Sequence, residues 1–422
     1  MASKPINLKH KTCPTGKCPH WQVTISNGFR ADGTRDKRKY TFIGTLREVR
    51  VLAFKKEQDL KNGIDYSDDS RRTMNDVFDR FESEYINDTF ENRLSDITKA
   101  VYRRHLNKVL RPFFGNIKVK GLTIYDFELF LKHLRKQQLA PRTVKAYFII
   151  AKMCLDHMLD WRWSNPDKLL DIIRRLNKLV RSSSQPTVRR QPVNYQDYKQ
   201  ISKHYKGTYL GLVLHLALYT AMRREEIMGL RWSDIEFFDL PKMNKTGVCG
   251  VIDSTHTLVY LKDDHIKELQ LRDIGKTKSS KRKIAFGPLT KQLLLEYKAK
   301  QQATGNDKYK DLIAAKRSWG DCYNPISISK MINTSCNKLG LVQEVTASSG
   351  KSIMMPNISL HRLRHTSITA MSQIGMPELI KKQMIGHSIG SDVTALYTHM
   401  TINDQMPWIY KINEFLDNAI NA

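Results

Sequence analysis

The chain of 422 residues carries 70 lysines and arginines against 42 aspartates and glutamates, a net charge of +28 and a pI near 9.8. A positive excess of that size points to a polyanionic partner, most often nucleic acid, rather than to a merely solvated basic surface. No apolar run reaches the roughly 18 residues a membrane helix needs, no charged-then-apolar leader opens the chain, and six cysteines are too sparse for a disulfide framework. A soluble, intracellular protein is therefore expected.

Residues 1–63 read as a small β-rich unit. Trp21, Val23 and Ile25 alternate, Asp32-Gly33 signals a turn, and Tyr40 and Phe42 alternate again. Thr45 and Glu48 make a capping box for a helix that runs to Gly63, and the basic run Arg35-Asp36-Lys37-Arg38-Lys39 is expected between the two strands. His10, Cys13, Cys18 and His20 could hold a metal, although their spacing is irregular for zinc and no metal is assigned.

A polar stretch at residues 64–72 reads as a linker, and residues 68–165 as a helical bundle. Val77, Phe81 and Tyr85 share a face, as do Val101, Tyr102, Leu106 and Val109. Thr123 caps a third helix and Pro141 opens a fourth. The exposed positions are basic, with Arg103, Arg104, Arg142 and Lys145 the candidates for contact with phosphates. Residues 166–190 read as a short helical piece followed by a basic linker. Arg189 and Arg190 in it would lie along a nucleic-acid backbone, the alternative being an inert spacer.

From residue 191 to 422 one domain is expected. Tyr209–Tyr219 is apolar enough to be a buried helix. It leads into Thr-Ala-Met-Arg-Arg-Glu-Glu, where Arg223 and Glu226 are three apart and able to pair, while Arg224 points about 100° away. Strand-like runs at 258–261 and 283–286 flank Gly275-Lys-Thr-Lys-Ser-Ser-Lys-Arg282. A phosphate-binding P-loop is excluded there because Gln270 stands where its first glycine must be. A β-hairpin turn carrying Lys276, with Lys278 as rival, is expected instead. Residues 290–350 read as helical, with a loop at 340–356.

Leu360 to Met400 holds the densest chemistry. Ser359 caps a helix on which His361 and Arg364 share one face, and Gly375 stops it. Pro377 opens another helix that ends at Gly386, leaving His387 on a turn. Tyr397 lies beside the apolar stripe Val393, Leu396 and Met400. An arginine can grip two phosphate oxygens, and a phenol becomes a nucleophile once its proton is taken, so the set reads as phosphoryl transfer through a phosphotyrosine. A closing helix, Pro407 to Ile420, presents an apolar face that packs either at home or on a neighbouring protomer.

His-Arg-Leu-Arg-His-Thr, then Gly-His-Ser, then a tyrosine ten residues after the second histidine resembles box II of the tyrosine recombinases, the phage-integrase family. Arg223 and Glu226, followed by Leu230, Trp232 and Asp234, match its first box, with Ala221 where the family has glycine. Lys276, Thr277, Ser280 and Arg282 match its lysine hairpin. The resemblance implies a multidomain, mainly α fold with small β-sheets: an arm-type sheet and helix, a helical core-binding bundle, and a mixed α+β catalytic domain. It further implies a site-specific recombinase of a mobile element, a conjugative transposon or temperate phage. Tyr397 would form a 3′-phosphotyrosine, and Arg223, Arg364 and His387 would stabilise the phosphate. His361 would accept a proton or donate to an oxyanion, Lys276 would protonate the leaving oxygen, and Glu226 would support Arg223. No cofactor is required. The implied partners are double-stranded DNA at attachment sites, a homotetramer on that DNA, and accessory excision and DNA-bending factors, in a bacterial cytoplasm. A non-catalytic DNA-binding regulator on the same fold and a type IB topoisomerase-like enzyme are the alternatives.

Overall fold

The computed structural model describes residues 3–8, 18–29, 34–61, 71–88, 94–182, 191–238, 247–262, 267–273, 281–303, 311–316, 322–346, 352–387 and 401–422. These fall into two compact units, the first formed by 1–91, 105–137 and 142–184, the second by 92–104, 138–141 and 185–422.

In the first unit, β1 (Ile6–Asn7), β2 (His20–Phe29) and β3 (Arg35–Ile43) form an antiparallel sheet in that order. Helix α1 (Leu46–Lys61) starts at the expected box, with the Thr45 N–H donating to Glu48 at 2.7 Å. Val23, Ile25, Val49 and Ala53 make the small core between sheet and helix. The basic run is not a connection between strands but the first half of β3 itself. Its register sets Lys39 opposite Thr24 and Lys37 opposite Ser26, on the face away from Val23 and Ile25.

The helical part holds α2 (Met74–Phe81), α3 (Asp96–His105), α4 (Arg111–Phe114), α5 (Ile124–Lys136), α6 (Pro141–Asp160) and α7 (Pro166–Ser182), with most of α3 grouped in the second unit. Capping boxes at Thr73–Asp76 and Thr123–Asp126 start α2 and α5. Phe78, Phe81, Phe114, Phe127, Phe130 and Phe148 are fully buried, and the rings of Phe114 and Phe130 stand 4.9 Å apart. Helix α7 is the helical piece expected at the start of 166–190, and residues 183–190 lie outside the described residues. It has 17 residues and buries Leu169, Ile172, Ile173 and Leu176 at helical spacing, so its residues belong with the bundle.

The second unit is built around α9 (Tyr209–Tyr219), which follows α8 (Tyr195–His204) and is buried on every side. Next come α10 (Arg224–Met228), β4 (Ile235–Phe237), β5 (Gly250–Ser254), β6 (His256–Lys262), β7 (Lys267–Asp273) and β8 (Arg282–Phe286). The expected hairpin between 258–261 and 283–286 does not form as such. Strand β6 pairs with β7, and β8 pairs with β5 in a separate sheet ordered β4-β5-β8.

Helices α11 (Pro288–Gln302) and α12 (Pro325–Lys338) precede an antiparallel hairpin, β9 (Val342–Thr346) with β10 (Ser352–Pro356), where a loop was expected. The chain continues through α13 (Leu360–Gln373) and α14 (Glu378–Ile385) to α15 (Ile402–Asn421). The last helix begins at a Thr401–Asp404 capping box, ahead of Pro407, and buries Ile409, Ile412 and Leu416 against its own domain. Gln405 of α15 reaches β8, donating to the Lys283 carbonyl at 3.0 Å.

Candidate active site

Helix α14 is short, and the way it ends builds the site. Gly386 adopts φ +67°, a left-handed conformation that glycine takes without steric cost. The Gly386 N–H bonds back to Gln383 at 3.2 Å and the His387 N–H to Lys382 at 3.0 Å, which is the Schellman arrangement. That leaves the carbonyls of Met384, Ile385 and Gly386 pointing out of the helix end without helical partners. Each accepts from a different arginine: Met384 from Arg282 Nε at 2.7 Å, Ile385 from Arg364 Nη2 at 2.6 Å and Gly386 from Arg223 Nη2 at 2.9 Å. The partial negative charge at a helix C-terminus favours cations there.

The three arginines come from three places. Arg223 caps α10, Arg282 opens β8, and Arg364 sits in the first turns of α13, whose N-cap Ser359 accepts from the Arg362 N–H at 3.3 Å. Arg364 also donates to the Ala221 carbonyl, and Ala221 has φ +52°.

Glu226 is the counter-charge. Its Oε1 accepts from Arg223 Nη1 at 2.7 Å and Arg282 Nη1 at 3.1 Å, and its Oε2 from the Arg223 backbone N–H and Arg282 Nη2, both at 2.8 Å. Burial alone would raise the Glu226 pKa, but Arg282 and then Arg223 more than reverse this and bring it down to about 2. Burial, then the charges of Arg223 and Arg282, pull Arg364 down to about 10, so it stays cationic at neutral pH. His387 is lowered too, chiefly by partial burial and then by Arg364, Arg223 and Arg282.

Exposure divides the cluster. The side chains of Arg282 and Glu226 are 3% and 2% exposed, whereas that of Arg223 is 37% exposed and has an edge open to solvent. His361 and His387 are both exposed. The result is an open cationic patch backed by a buried, hydrogen-bonded ion network, an arrangement suited to a tetrahedral oxyanion.

The phage integrase family model matches residues 191–403, just over half of the chain. The chain belongs to the phage integrase family. It is a tyrosine site-specific recombinase, an enzyme that transfers DNA strands. A curated relative, the tyrosine recombinase XerC-like protein of Caldanaerobacter subterraneus subsp. tengcongensis, is 20% identical over 409 residues, covering 94% of this chain and 96% of that protein. Among solved structures, the Tn1549 transposon integrase in complex with transposon right end DNA superposes with a TM-score of 0.57 at 16% identity, covering 81% of this chain and 100% of that one. The same integrase with circular intermediate DNA gives 0.53 at 15% identity, covering 79% and 97%.

In this integrase the structure brings together Arg223, Glu226, Arg364 and the turn bearing His387, while His361 lies one helical turn before Arg364 on α13. Lys276, Lys278, Tyr397, Arg189 and Arg190 lie outside the described residues, as do His10 and Cys13. Cys18 is buried with its Sγ 3.8 Å from His20 Nδ1, and no metal-binding cluster occurs among the described residues. Arg224 turns away, donating to Glu225 at 2.6 Å and to Ser329 on α12 at 2.9 Å. Trp232 and Asp234 are structural: the indole donates to Gln301 at 2.7 Å and Asp234 pairs with Arg231 at 2.8 Å. Arg35, Lys37, Arg38, Lys39, Arg104, Arg142 and Lys145 are exposed, and Arg103 is half-buried. No helix among the described residues is long and apolar enough to cross a membrane. Sequence reasoning left Arg282 out of the site, and the one signal for it was its place at the end of the Lys-Thr-x-x-Ser-x-Arg pattern.

Proposed function

We propose that the integrase cleaves DNA at the α14 end, with Tyr397 attacking a phosphate in line to form a 3′-phosphotyrosine and release a 5′-hydroxyl. Arg223, Arg364 and His387 would stabilise the charge growing on the non-bridging oxygens. His361 would take a proton or donate to the oxyanion, and Lys276 would protonate the departing 5′-oxygen. A 5′-hydroxyl from a second duplex then reverses the step. The phosphodiester energy stays in the covalent bond, so the chemistry calls for neither nucleotide nor metal.

The observation that carries this reading is the convergence of Arg223 and Arg364 on neighbouring carbonyls of one helix end, beside His387 and over a buried Glu226. Two guanidiniums fixed by backbone acceptors are preorganised for a phosphate. Around this chemistry, residues 1–63 would bind arm-type sites and residues 68–165 core-type duplex. The working assembly would be a homotetramer on attachment-site DNA, in the cytoplasm of a bacterial host, with accessory excision and DNA-bending factors. The structures of the Tn1549 integrase with DNA support a DNA-bound mode of action for this fold.

The test is covalent trapping on a nicked suicide duplex. Wild-type protein should accumulate a protein–DNA adduct, and Tyr397→Phe should bind the duplex equally well yet form none. Adduct from the phenylalanine variant would assign the nucleophile elsewhere.

A further inference from the structure

Arg282 shares Glu226 with Arg223, and its side chain is 3% exposed, so it cannot reach a DNA phosphate as Arg223 can. It nevertheless holds two walls of the site at once. Nη1 and Nη2 meet the two oxygens of Glu226, while Nε meets the Met384 carbonyl at the end of α14. It is also the first residue of β8, the strand that follows the segment bearing Lys276. The Gly386 turn packs on it so closely that a Cβ there would lie 2.8 Å from Arg282 Nη1 and 3.2 Å from Arg223 Nη1.

We propose that Arg282 is a positioning residue for strand cleavage: it occupies Glu226 from the buried side, so that Arg223 is oriented by this carboxylate without being neutralised by it. Glu226 Oε1 is the shared atom, 2.7 Å from Arg223 and 3.1 Å from Arg282. With Arg282 in place, one carboxylate is divided between two guanidiniums, and Arg223 keeps charge to offer a phosphate. Without it, the buried carboxylate falls to Arg223 alone, which is drawn inward. At the same time the Met384 carbonyl loses its donor and the β8 strand loses its tie to α14.

This inference rests on the cleavage site proposed above, and its test uses the full-length protein on the same suicide duplex, at saturating DNA and in single turnover. Arg282→Met should leave duplex affinity within about threefold and slow adduct formation about 100-fold, the scale of losing one oriented charge contact. Arg282→Lys should fall in between, because an ammonium keeps the charge but lacks the fork that reaches both oxygens and the carbonyl. The deciding variant is Arg282→Met/Glu226→Gln. Removing the charge that captures Arg223 should restore cleavage about tenfold over Arg282→Met, a second-site recovery that a merely structural arginine would not show.

A double variant no faster than Arg282→Met overturns the proposal, as does wild-type cleavage by Arg282→Met or a loss confined to DNA affinity. Circular dichroism checks folding. If Arg282→Met does not fold, the comparison is made with Arg282→Lys with and without Glu226→Gln, and if those do not fold either, the arginine serves folding and the positioning role is refuted. A wild-type protein that forms no adduct would remove the cleavage site itself, whereas adduct from wild-type and Arg282→Met alike removes this inference only.

Discussion

Ala221 is where residue and site meet most directly. Its φ of +52° is a conformation in which an L side chain costs about 1–2 kcal/mol, and its carbonyl accepts from Arg364. Glycine removes that cost but adds freedom to the unfolded chain, worth about 0.4–1 kcal/mol in the other direction. Ala221→Gly should therefore stabilise the protein by about 0.5–1 kcal/mol in denaturant unfolding while leaving adduct formation intact. A destabilised variant would show that the alanine methyl, fully buried, does more in packing than it costs in strain. At this scale the sequence was legible wherever two partners lie a helical turn apart. Arg223 with Glu226 is such a pair. Arg282 is 56 residues from Glu226, and no local spacing announces a contact of that length.

Among the elements, those that end in side-chain chemistry were readable. Ser359, Gly375, Pro377 and Gly386 mark the limits of α13 and α14 as expected, because caps act through the residues that form them. Strand β7 was not, since Lys-Glu-Leu-Gln-Leu-Arg-Asp offers two leucines among polar residues, a thin signal for a strand paired along its length with β6. The β9–β10 hairpin escaped for a related reason: Ile353, Met354 and Met355 form a consecutive apolar run, all exposed, which does not show the alternation of a half-buried strand. Helix α15 was readable as an apolar face with two possible homes, and it packs on its own domain. Ile412 is fully buried in its own domain, so Ile412→Ala should cost about 2–4 kcal/mol in dilute, DNA-free protein. A cost near zero would mean that α15 does not dock at home in the free monomer.

The whole molecule is governed by its charge. With +28 spread over both units, binding to non-specific duplex should weaken steeply with salt, each neutralised phosphate contributing roughly 0.9 to the log–log slope. A slope of about 5 or more is expected, measured by anisotropy titrations between low and physiological salt. Lys37→Glu/Lys39→Glu, on the open face of the N-terminal sheet, should lower the slope only if that sheet is engaged. A slope near zero would contradict a protein that reads DNA through its backbone. Composition alone carried this charge, because net charge needs no fold to be counted.

The carbonyl end of α14 also decides which positions of this protein can drift. The acceptors that hold Arg282, Arg364 and Arg223 are main-chain oxygens of Met384, Ile385 and Gly386, and every residue type carries one. Met384 and Ile385 can therefore be exchanged among apolar residues of similar volume without unhooking either arginine. Gly386 has no such latitude, since any side chain would meet both the backbone restriction and the two guanidiniums. Among variants that remain active, diversity should gather at 384 and 385 and vanish at 386.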